Sequence, residues 1–307
     1  MKKQLLLVLV AALSVLVLSS WSKADRKAYM DVPYYAGKGE STIKGGDFIW
    51  KIDGLNYWTM DDMIVSEVLA GNVPNTLRKF RKVTYKTGVD KSCEILSKPH
   101  KVEMWVLPDY ISVGTDKDFV RMPMSTIAAQ KIADALGCSL PTTYLVDRIS
   151  EAAEGRIEIF PFYPVGERNM RAFCFLDSNN AINALMRAKG YSFGQFVSGM
   201  KKDLVLTCEL ERHPEYRDNI AIYGWHHPDG HPQQPLFLRH ANFYSDYSHG
   251  ARMIWRTIRI DGKEYDIRKV MEDPAMYRLV SDEAYPLKEA TFANQKRKDY
   301  SVYTKKK

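Results

Sequence analysis

Five of the seven histidines in this 307-residue sequence fall within one stretch, residues 223–250, which we call the histidine-rich segment. Imidazole side chains transfer protons near neutral pH, act as nucleophiles and bind metal ions. The segment also contains carboxylates, a serine, several aromatic residues, and prolines and glycines that oppose regular structure. A long connection without regular structure inside a compact domain is usually functional, so this segment is the first candidate site. Its histidines are His226, His227, His231, His240 and His249.

Three kinds of chemistry could use these residues. In the first, His226 or His249 is the base of an acid–base or nucleophilic mechanism. In the second, zinc binds imidazole and carboxylate ligands drawn from His226, His240, Asp246 and His249. In the third, aromatic faces and polar side chains bind a sugar without catalysis. The sequence contains no tight metal-binding spacing. A structural loop whose histidines bond to the backbone is the alternative to all three.

We expect the catalytic residues to be His226, Asp246, Ser248 and His249. Asp246 lies three residues before His249 and could accept a hydrogen bond that orients its imidazole. Glycine at position 250 would allow the backbone to approach a ligand or to turn. The residues expected to bind substrate belong to the same segment or follow it directly: Trp225, His240, Tyr244, Tyr247 and Arg252.

Two short motifs in this region resemble those of a known enzyme family. Residues 248–253, Ser-His-Gly-Ala-Arg-Met, resemble the Ser-His-Gly-Cys-x-Arg motif of L,D-transpeptidases, and residues 223–226, Tyr-Gly-Trp-His, resemble the upstream histidine of that family. No cysteine follows Gly250, and Arg252 comes one residue early, so the nucleophile of the motif is missing. The resemblance therefore implies binding or altered chemistry rather than transpeptidation.

The wider chain is similar to uncharacterised secreted bacterial proteins. The similar runs are residues 109–123, residues 136–142 and the histidine-rich segment. This resemblance implies export from a bacterial cell, but it implies no reaction.

Two further groups of charged residues could contribute to a site. Asp109, Asp116, Asp118 and Arg121 surround a predicted turn, and paired carboxylates can act as acid and base on a glycan. Acidic residues are also common in turns, which is the interpretation we favour. Residues 201–203, Lys-Lys-Asp, precede a predicted strand and could place a cation near a substrate carboxylate. For these residues we favour a solvated strand end.

The first 24 residues have the pattern of a secretory signal peptide. Two lysines precede an apolar run over residues 5–18, and Ser-Lys-Ala at residues 22–24 is typical of a cleavage site. The apolar run is shorter than the roughly 20 residues that a membrane-spanning helix needs. We therefore expect cleavage after Ala24, a secreted or periplasmic protein, and no transmembrane segment in the mature chain.

The positive charge of the sequence is concentrated at its end. Without residues 1–24 the chain has 41 basic and 37 acidic residues, or +4. Residues 295–307 carry six basic residues and one acid, or +5, so residues 25–294 are close to neutral at −1. We expect residues 295–307 to form a solvated basic tail. A neutral body also argues against nucleic-acid binding, although residues 129–149 imitate a helix-turn-helix.

The four cysteines lie in the exported part of the chain, where disulfides can form. Four cysteines allow three pairings, and the sequence does not choose among them. We expect at least two buried free thiols. The cysteines are Cys93, Cys138, Cys174 and Cys208.

The hydropathy pattern predicts an α+β fold in one domain, residues 25–294. Apolar residues with helical spacing predict a helix over residues 56–70. They also predict a helical hairpin whose first helix covers residues 125–136 and whose second begins at residue 141 or 142 and ends at residue 153. Strand patterns lie on both sides of the hairpin, and Asp261-Gly262 predicts a tight turn. We therefore expect a mixed or antiparallel sheet with the hairpin packed on it.

Together these features favour an exported, hydrolase-like enzyme that uses the histidine-rich segment on a cell-wall or extracellular glycan or peptide. The competing hypothesis is a non-catalytic carbohydrate- or peptidoglycan-binding protein that uses the same residues.

Overall fold

A computed structural model of the protein describes residues 29–31, 35, 38–162 and 169–300. The predicted signal peptide and its cleavage site lie outside the described residues. Within the described part of the chain, no helix is long and apolar enough to cross a membrane.

The fold is α+β, as the sequence predicts. The helices of the described residues are α1 (Gly45–Ile52), α2 (Tyr57–Ala70), α3 (Thr126–Ala135), α4 (Thr143–Ala152), α5 (Ala172–Ala188), α6 (Glu209–Arg212) and α7 (Ile267–Glu272). The strands are β1 (Tyr29–Asp31), β2 (Lys79–Lys86), β3 (Lys101–Val106), β4 (Ser112–Gly114), β5 (Phe119–Arg121), β6 (Cys138–Ser139), β7 (Gly155–Arg156), β8 (Val197–Ser198), β9 (Lys202–Leu204), β10 (Ile222–His226), β11 (Pro232–Phe237), β12 (His249–Gly250), β13 (Ile254–Trp255), β14 (Thr257–Ile260) and β15 (Lys263–Asp266).

The larger sheet has seven strands, all paired antiparallel. Strands β1, β2, β3, β13 and β6 follow one another across it, and the β14–β15 hairpin joins it through β3. The predicted turn at Asp261 and Gly262 closes that hairpin, with φ angles of 49° and 84°. Two left-handed residues in a row are what a tight hairpin turn requires.

The smaller sheet has four strands in the order β11, β10, β9 and β12, with β12 parallel to β9. The expectation that residues 223–250 lack regular structure is wrong, because Pro232–Phe237 form β11. This strand tolerates its prolines because it lies at the sheet edge. Two of its residues, Pro235 and Leu236, oppose the single residue Tyr223 at a bulge.

The predicted helical hairpin is formed by α3 and α4. Ser125 caps α3 by accepting a hydrogen bond from the Ala128 amide, and Thr142 caps α4 in the same way through the Leu145 amide. Helix α4 packs against both β2 and β10, so it lies between the two larger sheets. It therefore forms one wall of the region that contains the histidine-rich segment.

Part of the basic tail belongs to the packed structure, contrary to the expectation of a solvated end. Over residues 295–300, Arg297 pairs with Asp62, and the Lys298 carbonyl accepts a hydrogen bond from the Trp58 indole at 3.1 Å. The charges do not prevent packing because Arg297 is paired with Asp62 and the Lys298 ammonium donates to the side-chain oxygen of Asn219. Residues 301–307 lie outside the described residues.

Candidate functional site

The central strand β9 separates two clusters of polar side chains. Its residues alternate, so Lys202 projects to one face of the four-stranded sheet, and Lys201 and Asp203 project to the other. The first face holds what we call the His249 cluster: Lys202, Trp225, His240, Tyr244, Asp246 and His249. The second face, under α4, holds what we call the His226 cluster: Tyr110, Lys201, Asp203, His226 and Arg252.

The strand register places His249 in the first cluster. In the parallel pair of β12 and β9, His249 lies opposite Lys202, and Gly250 lies opposite Asp203. Gly250 is required there because a Cβ atom at this position would lie 2.5 Å from the Tyr110 ring. The sequence predicts a close approach of the backbone at Gly250. In the structure the group that approaches it is the Tyr110 side chain of the His226 cluster.

Two residues with left-handed backbone conformation interrupt the alternation of side chains along β10. Trp225 and His226 each lie on the face opposite to the one that regular alternation would give. Gly224, opposite Lys202, has a φ of 95°, and Trp225 has a φ of 54°, which is uncommon for a residue with a large side chain. As a result the Trp225 ring lies 5.4 Å from Lys202 Nζ, and His226 Nε2 lies 2.8 Å from Oδ1 of Asp147 on α4. His226 and His249 therefore do not share a face.

His249 is fully buried, and neither of its ring nitrogens has a hydrogen-bond partner among the described residues. Buried polar atoms nearly always have a partner, so this imidazole is an exception that needs a physical account. Burial lowers the pKa of His249 to about 4, against the opposing effect of Asp246, whose Oδ1 lies 3.8 Å from Nε2. His249 is consequently neutral at pH 7, and one of its nitrogens can accept a proton.

Asp246 is held in place by Ser248. The Ser248 amide and hydroxyl donate to Asp246 Oδ1 at 2.8 and 2.6 Å. Burial acts to raise the pKa of Asp246, but the charge interaction with His249 and the Ser248 hydrogen bonds hold it below its ordinary value. Asp246 is therefore an anion next to a neutral imidazole. Ser248 orients the carboxylate, and its hydroxyl is not bonded to His249.

Half-buried aromatic rings cover the His249 cluster on the solvent side. The rings of His240 and Tyr244 are stacked with their centroids 4.0 Å apart. Both lie close to His249, at centroid distances of 6.5 and 6.1 Å. Burial lowers the pKa of His240, so this ring is also mostly neutral at pH 7. The cluster is thus shielded from bulk water by rings that are themselves partly exposed.

The His226 cluster is enclosed and highly polar. The Tyr110 hydroxyl donates to Asp203 Oδ2 at 2.8 Å, whereas Asp203 Oδ1 has no partner among the described residues. Burial raises the pKa of Asp203 to about 6 and lowers the pKa of Lys201 to about 7. The Lys201 ammonium donates to the Tyr247 carbonyl. A cavity of about 10 Å³ lies among these side chains, which is room for about one water molecule.

The predicted site residues divide between the two clusters. Asp246, Ser248, His249, Trp225, His240 and Tyr244 come together on one face. His226 lies on the other with Arg252, whose guanidinium stacks over the Tyr110 ring at 4.5 Å. Tyr247 stacks on Phe162 at 4.5 Å and its hydroxyl bonds to the Phe162 backbone, so its ring serves packing.

The four proposed zinc ligands are likewise divided, because His226 bonds to Asp147 away from the other three. Among the described residues, no group of three or more His, Cys, Asp or Glu side chains is placed to hold a metal ion. Zinc binding stays a prediction from the sequence.

Sequence reasoning missed the importance of residues 201–203. The favoured interpretation of a solvated strand end is wrong, because Lys201 and Asp203 are almost fully buried and Lys202 is half-buried. The available signal was the adjacency of two lysines and an aspartate to an apolar run, Leu-Val-Leu, over residues 204–206. When a buried strand directly follows charged residues in the sequence, some of those charged residues are buried as well.

Comparison with protein-family models, curated proteins and solved structures finds no match to this chain.

Proposed function

We propose that the protein is an exported hydrolase whose catalytic residues are His249 and Asp246, acting on a cell-wall or extracellular glycan or peptide. The observation that carries this proposal is the fully buried, neutral imidazole of His249 with both nitrogens unpartnered among the described residues. A ligand that enters the cluster would supply the missing partner. The expected export signal supports the extracellular location of the substrate.

The arrangement suits general acid–base catalysis. A neutral His249 would take a proton from the water molecule that attacks the substrate, and would then return it to the leaving group. Asp246, 3.8 Å from Nε2, would stabilise the imidazolium that forms between these two steps. Ser248 keeps the carboxylate oriented for this role. His226 has no part in this mechanism because it lies on the opposite face of the sheet.

A second candidate function is non-catalytic binding of a carbohydrate or peptidoglycan fragment. The observation that favours it is the stacked, half-buried pair of His240 and Tyr244, which offers an aromatic surface next to the polar cluster. Both functions would use the same face of the sheet, so the experiment must separate binding from turnover.

The test is to incubate the exported form with purified bacterial cell wall and to identify released fragments by liquid chromatography and mass spectrometry. We expect fragments from the wild type and at least a hundredfold less from His249→Gln, the scale of loss expected for an acid–base group. His231→Gln is the matched control, because the His231 side chain is 83 % exposed and lies in the same segment. Cell-wall binding without any fragment release would support the binding function and contradict the enzyme.

Metal analysis of the same preparation tests the zinc hypothesis. Stoichiometric zinc that is lost in His249→Gln would place a metal in the His249 cluster, and the proton transfer assigned to His249 would then be wrong.

A further inference from the structure

Lys202 is a cation that forms no direct ion pair with any of the described residues. Within the described part of the chain its ammonium group forms no hydrogen bond and no ion pair, and it lies 5.4 Å from the centroid of the Trp225 ring. The side chain is half-buried, so the aromatic contact replaces only part of its hydration. Burial lowers the pKa of Lys202, although nearby Asp246 acts to raise it. A partly desolvated, unpaired ammonium favours an incoming anion.

The indole N–H of Trp225, like the Lys202 ammonium, is a hydrogen-bond donor without an acceptor among the described residues. This Nε1–H group is buried. The left-handed backbone at Trp225 costs free energy and is what brings this ring to the Lys202 face. Two donors without acceptors therefore belong to neighbouring side chains, on the same face of the sheet as His249.

We propose that Lys202, assisted by the Trp225 indole N–H, binds a carboxylate group of the substrate next to His249. This inference rests on the proposed function in placing the carboxylate beside the hydrolysed bond. It names the substrate class more narrowly, as an acidic molecule rather than a neutral sugar or amide. A carboxylate presents two acceptor oxygens, one for each unpartnered donor.

Asp246 leaves Lys202 without a direct partner. Its negative charge acts on the lysine, but its Oδ1 accepts hydrogen bonds from Ser248, and it forms no ion pair with Lys202. Lys202 lies opposite His249 in the register of β9 and β12. The backbones that carry Lys202 and His249 are thus one strand spacing, about 5 Å, apart, and both side chains belong to the His249 cluster.

The experiment measures binding of small probes to the full exported chain at pH 7 by isothermal titration calorimetry or by NMR. N-acetylalanine is compared with the uncharged N-acetylalaninamide, and glucuronate is compared with glucose. We expect each acid to bind at least tenfold more tightly than its neutral partner. A preference only within the alanine pair identifies a peptide carboxylate, and a preference only within the sugar pair identifies a sugar acid.

Variants assign the preference to its residues. Lys202→Met should abolish the discrimination between acid and neutral probe, whereas Lys202→Arg should keep it. Trp225→Phe, which retains an aromatic ring but removes the indole N–H, should reduce it. Lys263→Met is the control, because Lys263 is exposed on the distant β14–β15 hairpin.

Equal binding of acid and neutral probes, discrimination that survives Lys202→Met, or no binding of any probe would each overturn the proposal. Its failure is distinct from failure of the proposed function, because His249→Gln should lose turnover and still bind the acidic probe.

Discussion

The Arg121 guanidinium forms a two-pronged ion pair with the Asp109 carboxylate in the interior of the protein. Nε donates to Oδ1 at 2.8 Å and Nη2 donates to Oδ2 at 2.7 Å, and both side chains are almost fully buried. Nη1 donates to the side-chain oxygens of Asn179 and Asn183 on α5. The pair therefore ties β5 to α5, and the acidic turn considered as a glycan site supplies one half of a structural bridge.

We expect Arg121→Ala to destabilise the protein by about 3–5 kcal/mol, because it leaves the Asp109 carboxylate buried without its partner. The measurement is chemical unfolding followed by circular dichroism. Arg259→Ala removes an exposed ion pair with Glu264 and should cost less than about 1 kcal/mol. Equal losses of unfolding free energy in the two variants would show that burial does not determine how much the Arg121–Asp109 pair stabilises the protein.

The depressed pKa of His249 predicts how its contribution to stability depends on pH. The folded protein binds a proton at His249 only near pH 4, whereas the unfolded chain binds it near pH 6.5. The stabilisation is therefore present above pH 6.5 and is lost as the pH falls towards 4. Between pH 7 and pH 4.5 the loss is about 2 kcal/mol.

This loss is measured as the difference in unfolding free energy between wild type and His249→Gln at the two pH values. The comparison is needed because Asp61 and Asp203, whose pKa values burial raises to about 6, change stability in the opposite direction over the same range. A difference between wild type and variant that stays constant with pH would contradict the low pKa of His249.

The four cysteines are free thiols in the structure, which agrees with the expectation of at least two. Cys138 and Cys208 are buried, and burial raises the pKa of both, to about 12 for Cys208. Cys93 and Cys174 are partly exposed. At pH 8 we therefore expect two thiols to react with Ellman's reagent in the native protein and four after unfolding. Intact mass that shows a disulfide in the exported protein would contradict this.

Removal of residues 295–307 should destabilise the fold. The Gln295 side chain donates to the Arg217 and Asn219 carbonyls at 2.9 and 2.7 Å. Each hydrogen bond contributes about 1 kcal/mol, so we expect the truncation to cost about 2–4 kcal/mol in total. Thermal unfolding of the truncated form and of the full-length protein is the measurement. Identical melting temperatures would contradict a stabilising role for residues 295–300.

The sequence predicted those elements whose ends are specified locally. Helix α2 begins where the Asn56 side chain accepts a hydrogen bond from the Thr59 amide and ends at Gly71, whose φ is 89°. Both signals are short-range and depend on residue type. Residues 251–260 form a long β-rich run, whose pattern alone predicts one strand, whereas in the structure Arg256 separates β13 from β14.

The site was predicted only in part, because its geometry depends on contacts far apart in the sequence. The aromatic and acidic residues near His249 could be recognised from their clustering within one segment. The separation of His226 from His249 could not, because it depends on a left-handed tryptophan and on Asp147 from another element. The burial of Lys201 likewise depends on a carbonyl 46 residues away.

Strand β9 alone separates the His249 cluster from the His226 cluster and its enclosed cavity. Because consecutive residues of β9 point to opposite faces, a shift of this strand by one residue would move its side chains from each cluster into the other. The position of the β9 backbone therefore cannot change to suit one cluster without disrupting the other. Each cluster can vary only by replacement of its side chains on this fixed backbone. A design that grafts one cluster onto another protein would have to include the residues on both faces of the sheet.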